Sequence, residues 1–240
     1  MRQVVVTGGG TGLGRAIAED FITAGDRVTI TGRRRDVLAA TAGSIGATAV
    51  VFDASDPAQV QAALADLPEV VDVLVNNAGG NTDITAPEVA DGDLAGLAAA
   101  WQANLSANLL TAVLMTAALM PRLSDNARIV NFSSIAARIG VASYGAAKAA
   151  VESYTGWLAA ELGPRGITAN VVSPGLILDT EFFHGTLDAA GVERRVALTR
   201  NKRVGVPADI VTTVRFLASP DAGHVTGQVL HVNGGAYLAL

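Results

Sequence analysis

Short β-branched runs alternate along this chain with alanine-rich stretches of helical character, and that alternation restricts the possible folds more than anything else in the sequence. The runs fall at residues 4–6, 28–31, 48–52, 70–75, 128–132, 168–172 and 229–232. They are brief and nearly continuous in apolar character, as expected of parallel strands buried on both faces. Between them, residues 14–24, 57–67, 97–120, 144–162 and 208–218 read as helices. Strands alternating with helices build βαβ units with right-handed crossovers, and ligands then gather at the carboxyl ends of the strands. The expectation is an α/β fold: a doubly wound parallel sheet with helices on both faces, formed as a single domain over residues 1–240. That length suits one such domain with a sizeable core.

Several function classes drop out early. The chain has no cysteine, which excludes a disulfide framework, thiolate catalysis and zinc–cysteine or iron–sulfur centres. A formal net charge of −5 leaves no global basic surface, so no nucleic-acid partner is expected. The first residues, Met1 to Gly8, hold too short an apolar run for a signal peptide. Between Asp93 and Arg122 there is no charge, but Trp101, Gln102, Asn104, Ser106, Asn108, Thr111 and Thr116 interrupt the apolar residues. A spanning helix needs about 20 predominantly apolar residues. This stretch is therefore read as a helix packed against protein, in a soluble cytoplasmic molecule with no membrane partner. His184, His224 and His231 have no ligand-like spacing, and no metal is expected.

The first strand–helix turn reads Thr7-Gly8-Gly9-Gly10-Thr11-Gly12-Leu13-Gly14. Glycines there admit positive φ and close approach of backbone to a pyrophosphate, and the following helix offers free N–H groups and a positive dipole end. A plain tight turn is the alternative. No lysine follows the glycines, so the loop is not a P-loop. About 20 residues on, an NAD-selective site would place an acid on the ribose hydroxyls. Here the second strand ends in Gly32-Arg33-Arg34-Arg35. Arginines at a helix start oppose its dipole, whereas a 2′-phosphate would give them charge-assisted hydrogen bonds. NADP(H) is therefore favoured over NAD(H), with a solvated basic cluster as the alternative. Asp53 and Ala54, after the third strand, could meet an adenine, or Asp53 could cap a helix. Asn76-Asn77-Ala78-Gly79-Gly80 after the fourth strand suits a wall where a ligand nears backbone, or an ordinary turn.

The chemistry is marked by Tyr144 and Lys148, placed at i and i+4 on one helical face. Lys148 is one of two lysines among seventeen basic residues. A neighbouring cation favours tyrosinate and is expected to lower the phenol's pKa from about 10. Such a phenol could protonate an alkoxide during carbonyl reduction, or take the proton back in reverse. Ser133 and Ser134 follow the fifth strand, and either could hold a carbonyl oxygen. Asn104, in the long uncharged helix, is costly to bury without hydrogen bonds.

On these residues the sequence resembles the classical short-chain dehydrogenase/reductases, and within them β-ketoacyl-acyl-carrier-protein reductase-like members. Thr7–Gly14 follows that family's T-G-x-x-x-G-x-G, Asn76-Asn77-Ala78-Gly79 its N-N-A-G, and Tyr144-x-x-x-Lys148 its Y-x-x-x-K. Pro174-Gly175 and Val232-Asn233-Gly234-Gly235 resemble its later motifs. The resemblance implies a Rossmann fold and a tetrad of Asn104, Ser134, Tyr144 and Lys148. In that scheme Tyr144 is the general acid–base and Ser134 holds the substrate oxygen. Lys148 binds the nicotinamide ribose, and Asn104 anchors a water of the proton relay. It also implies cofactor contacts from Gly8, Thr11, Gly12, Leu13, Gly14, Arg33, Arg34, Asp53, Ala54, Asn77, Ala78, Gly79, Tyr144, Lys148, Pro174, Gly175, Ile177 and Thr180. The last of these comes one residue later than the family's usual threonine. Only ten residues separate Ser134 from Tyr144, which shortens the loop at 138–142. A homotetramer or homodimer is implied, joined through the helices at 97–120 and 144–162.

Residues 179–204 are expected to form a substrate lid. Arg194, Arg195, Arg200, Lys202 and Arg203 there could receive a phosphate or carboxylate, as on a carrier-bound acyl group, or form a solvated face. The leading reading is an oxidoreductase acting on a small-molecule carbonyl or alcohol. A dinucleotide sensor without turnover and a purely structural protein are the readings from other classes.

Overall fold

The computed structural model describes residues 1–178 and 180–239. Asp179, the first residue of the expected lid, and Leu240 lie outside the described residues. Seven parallel strands form one sheet: β1 (Gln3–Thr7), β2 (Arg27–Gly32), β3 (Thr48–Val51), β4 (Val71–Asn76), β5 (Leu123–Phe132), β6 (Thr168–Pro174) and β7 (Val229–Val232). Their order is β3-β2-β1-β4-β5-β6-β7. All six pairings are parallel, with Val5 of β1 opposite Thr29 of β2 on one side and Leu74 of β4 on the other. The chain winds outward from β1 to β3, then returns to lay β4 against the free side of β1. Winding therefore reverses between β1 and β4, and a crevice opens there at the carboxyl ends.

The helices are α1 (Gly12–Thr23), α2 (Arg35–Ile45), α3 (Pro57–Ala63), α4 (Leu94–Leu105), α5 (Thr111–Leu119), α6 (Ala136–Ile139), α7 (Ala142–Leu162), α8 (Ala189–Leu198) and α9 (Pro207–Leu217). They cover both sheet faces, which is why the strands show no polar alternation. Val4 and Val6 point into one core with Ile17, Phe21, Leu38, Ile210 and Leu217, from α1, α2 and α9. Val5, between them, points into the other with Val60, Met115, Leu119 and Leu158, from α3, α5 and α7.

Three helical expectations need correction. α3 stops at Ala63, well short of 67, and a turn closed by Asp66 N–H on Ala63 O precedes Pro68. The helix expected at 97–120 begins at Leu94 and is broken into α4 and α5 by a π-helical turn, Ser106–Leu110. Asn108, buried in that turn, donates to Asn104 O at 3.0 Å and to Gly80 O at 2.9 Å. The widened turn so ties the helix to the loop after β4. By length and composition Leu94–Arg122 could cross a membrane, yet its halves differ. Met115 and Leu119 are buried in the core, whereas Leu94 is 76% exposed, and Leu97 and Trp101 are exposed too. Packing against protein within the chain therefore holds for α5 and not for the outer face of α4.

Candidate active site

At the switch point the glycine loop leaves β1 and enters α1. Gly8 and Gly12 have φ of +66° and +53°, the left-handed region that favours glycine. Gly14 meets the loop so closely that a Cβ there would lie 2.2 Å from Gly8 O. Asn77 Nδ2 donates to Thr7 O at 3.0 Å and Gly8 O at 3.2 Å, and Ala78 N donates to Thr7 Oγ1 at 3.0 Å. Asn76 turns away, donating to Thr116 and Asn131 and so tying β4 to α5 and β5. Gly79 lies against Asn108, whose Oδ1 would be 2.6 Å from a Cβ. Among the described residues Thr11 makes no side-chain cap for α1, and the first turn carries no acid. The leading N–H groups of α1, around Gly12 and Leu13, thus face the crevice without a carboxylate of their own.

The far wall is Pro174 and Gly175 at the end of β6, with Gly175 pressed on Asn233, whose Cβ would be 2.8 Å from a Cβ there. Ile177 is buried and bridges to Gly205. Thr180 sits over Gly12, with its Cβ 3.5 Å from where a glycine Cβ would stand. A cradle that side chains would fill, beside an uncapped helix start, fits the pyrophosphate of a dinucleotide.

The basic cluster lies at the outer end of this groove. Arg33 is exposed and 3.7 Å from Asp53. Arg34 donates to Thr11 Oγ1 at 3.1 Å and Glu181 Oε2 at 2.9 Å, a link to the lid that sequence reading did not find. Asp53 does not cap α3: Asp56 does, accepting from Ala58 and Gln59. Asp53 instead accepts from Ser55 N at 2.8 Å and Ser55 Oγ at 2.7 Å, while Ala54 beside it is buried.

At the carboxyl end of β5 the two serines part company. Ser133 is buried and donates to Glu152 Oε1 at 2.7 Å, and Glu152 also pairs with Arg138. Ser134 is half-buried; its hydroxyl accepts from Ala136 N at 3.2 Å and is the one that lies beside the Tyr144 phenol. Tyr144 and Lys148 are both buried in α7, with Lys148 Nζ 5.9 Å from the Tyr144 ring centre. Lys148 Nζ donates to Phe132 O at 2.9 Å. Asn104 is fully buried, its amide donating to Asp83 and Ser143 and accepting from Thr82 N.

Among the chain's own groups, the expected lowering of the tyrosine does not occur. Burial pushes Tyr144 up to about 12, against a smaller pull downward from the neighbouring Ser134 hydroxyl. Burial likewise pushes Lys148 down to about 8. The ammonium is itself desolvated and directed at the Phe132 carbonyl, so loss of water outweighs its field at the phenol. Stability should register both shifts. Between about 8 and the ordinary 10.5 of lysine, the unfolded chain holds the Lys148 proton and the folded chain does not, so stability rises with pH. Between the ordinary 10.0 of tyrosine and about 12 the folded chain keeps the Tyr144 proton longer, and stability falls. Urea midpoints are expected to climb from pH 8 toward 10, a climb that Lys148→Met removes. A parent protein with no climb in that window would contradict the assignment.

Residues 180–204, expected as a lid, are less polar toward the site than their sequence suggests. Phe182 tilts over Tyr144 with ring centres 5.9 Å apart, and Phe183 meets Phe182 edge-on at 5.0 Å. The basic residues do not converge on one point. Arg195 lies over the Phe183 ring, Lys202 donates to Ala197 O, and Arg203 forks onto Asp209. Three of the five are thus engaged in contacts within the chain. Asp83, Ser143, Asn108, Glu152 and Phe182 are site neighbours that sequence reasoning missed; only the aromatic pair Phe182-Phe183 carried a visible signal.

Comparison with known proteins agrees with this geometry. Residues 8–237 match a family described as enoyl-(acyl carrier protein) reductase. The 3-oxoacyl-[acyl-carrier-protein] reductase FabG of Vibrio harveyi is 33% identical over 247 residues, covering 98% of this chain and 96% of that protein. A short-chain dehydrogenase/reductase, glucose/ribitol dehydrogenase, from Brucella melitensis superposes with a TM-score of 0.88 at 34% identity, over 99% of this chain and 97% of that one. A blue fluorescent protein from a metagenomic library, solved in complex with NADPH, gives 0.86 at 32%, over 99% and 98%. Matches of this breadth span nearly the whole chain, and the chain belongs to the short-chain dehydrogenase/reductase family of oxidoreductases.

Proposed function

We propose that this protein is an NADP(H)-dependent reductase of ketones, run in reverse on secondary alcohols, with β-ketoacyl thioesters as the best substrate class. One observation carries the reading: Tyr144, Lys148 and Ser134 gather at the carboxyl end of β5, with Lys148 Nζ 5.9 Å from the Tyr144 ring centre, Phe182 tilted over that ring and the Ser134 hydroxyl beside the phenol. Two hydroxyls in that relation can hold one carbonyl oxygen. Ser134 donates to it and fixes its direction, and Tyr144 gives up a proton as negative charge develops on it. Because burial holds the phenol near 12, Tyr144 stays protonated at neutral pH and is ready as an acid. Lys148 is the cation next to the phenolate that forms, and Asn104 is the buried amide that fixes α4 against α7. A bound nicotinamide dinucleotide supplies the hydride, or accepts it in the reverse direction. Gly8, Thr11, Gly12, Leu13 and Gly14 would hold its pyrophosphate. Asn77, Ala78, Gly79, Pro174, Gly175, Ile177 and Thr180 would line its nicotinamide half, and Asp53 and Ala54 its adenine. The carbonyl substrate and the thioester class are supported by the FabG relative, and the choice of NADP(H) by the NADPH complex and by the arginines.

Arg33 and Arg34 are the residues proposed to read the 2′-phosphate. Each charge-assisted hydrogen bond is worth about 1.5–3 kcal/mol. Arg33→Ala is therefore expected to weaken NADPH binding by about tenfold or more while leaving NADH within about twofold. Paired fluorescence titrations at fixed salt measure this, and equal losses for both cofactors would remove the phosphate role. The exposed apolar side chains of α4 and α7, Leu94, Leu97, Trp101 and Trp157, are proposed to meet a second copy in a homodimer or homotetramer.

A further inference from the structure

The helix that carries Tyr144 and Lys148 begins without support of its own. Its N-cap is Val141, with no side-chain cap among the described residues and no acid in the first turn. Its first residue, Ala142, has φ +33°, a left-handed value that an alanine adopts only where its surroundings hold it. A Cβ on Gly145, one turn on, would lie 2.6 Å from Ala136 O, so this turn is also packed tightly from the α6 side.

What holds the turn comes from elsewhere in the chain. Asp83 stands in a 3₁₀ turn, Thr82–Ile84, after β4. Its Oδ2 accepts from Ser143 Oγ at 2.9 Å and its Oδ1 from Asn104 Nδ2 at 2.8 Å. Asn104 Nδ2 also donates to Ser143 Oγ at 2.8 Å, closing a triangle of three side chains. Asn104 and Ser143 are both buried. The carboxylate only accepts, the amide donates, and the hydroxyl does both, so every hydrogen bond in the triangle is matched. A negative charge beside the start of α7 also supplies what the helix's own first turn lacks.

We propose that Asp83 is a positioning residue: it secures the first turn of α7 from outside, and so fixes Tyr144, the next residue after Ser143, relative to Ser134. This rests on the proposed role of Tyr144 in proton transfer. Displacing such a group by 1 Å can cost on the order of 100-fold in rate. The carboxylate is bound to both helices at once, so its loss frees both.

The test uses the full chain with Asp83→Ala and Asp83→Asn and reads two quantities. The first needs no turnover: hydrogen exchange of the amides at 142–148. Exchange there is expected to quicken about tenfold in Asp83→Ala at unchanged protection of the sheet. Asp83→Asn, which keeps one acceptor, should fall between Asp83→Ala and the parent. The second is kinetic, with NADPH and acetoacetyl thioester. For Asp83→Ala, kcat is expected to drop about tenfold or more while the KM for NADPH stays within about twofold. Ser143→Ala added to Asp83→Ala should cost little more, since both act through one contact. Unchanged exchange at 142–148 overturns the proposal, and so does a loss of protection spread evenly over the sheet. Quickened exchange in a parent that never turns over keeps the positioning of α7 and removes the proposed reaction. Unchanged exchange beside a Tyr144-dependent reaction does the reverse.

Discussion

Replacing Tyr144 by phenylalanine is expected to lower kcat for ketone reduction by about 10²- to 10⁴-fold, the range for removing a general acid–base. NADPH binding should stay within about twofold, because the lost atom is a proton donor and not a cofactor ligand of the glycine loop. The substitution keeps the ring, its tilted contact with Phe182 and its place in the first turns of α7, so the fold has little reason to change. It removes only the hydroxyl beside Ser134. Steady-state rates beside an NADPH titration check both halves. Unchanged turnover would remove Tyr144 from the proton step, and lost binding would mean that the phenol is needed to build the site.

The second large effect is expected at Gly14. A Cβ there would stand 2.2 Å from Gly8 O and 2.5 Å from Asn77 Nδ2, far inside contact distance. Neither neighbour can yield cheaply. Gly8 O belongs to the backbone of the loop, and Asn77 is itself held by hydrogen bonds to Thr7 O and Gly8 O. Forcing an extra methyl into such a contact costs about 1–3 kcal/mol. It also moves the loop away from the start of α1. Gly14→Ala is therefore expected to lower the melting temperature and to weaken NADPH binding about tenfold or more. Gly43→Ala in α2 is the control: nothing among the described residues lies within 4 Å of its Cβ. That change should stabilise by about 0.5–1 kcal/mol through helix propensity alone. Equal behaviour of the two variants would contradict the close-approach account of the glycine loop.

The strands were readable because the inner ones are buried on both faces, which concentrates β-branched residues where the chain must pair. Val4, Val5 and Val6 show the reason directly, since alternate residues enter different cores. Tyr144 and Lys148 were readable because helical spacing alone brings i and i+4 together. What escaped the sequence depends on contacts between elements distant along the chain. The π-helical turn that splits the long helix is tied by Asn108 to Gly80, 28 residues away, and no local period announces it. Ser133 and Ser134 are neighbours of equal chemistry, and contacts to the Lys148 carbonyl and to Glu152, one turn beyond it, draw Ser133 away from the site. The tyrosine shift was misjudged for a similar reason. Sequence shows a cation at the right spacing, but burial acts on both groups and is set by the whole fold. The charged segment expected to be a lid misled in the opposite direction: composition counts its arginines, while Phe182 is the side chain that reaches the Tyr144 ring.

Coupled product analysis tests the central claim most directly: the purified chain is incubated with NADPH and acetoacetyl thioester, and NADPH consumed and 3-hydroxy product formed are measured together. The account expects equal amounts of the two, a single enantiomer of the alcohol, and loss of both in Tyr144→Phe. NADPH that binds tightly but is never consumed, with this or any other ketone, would contradict it and leave a dinucleotide-binding protein in place of a reductase.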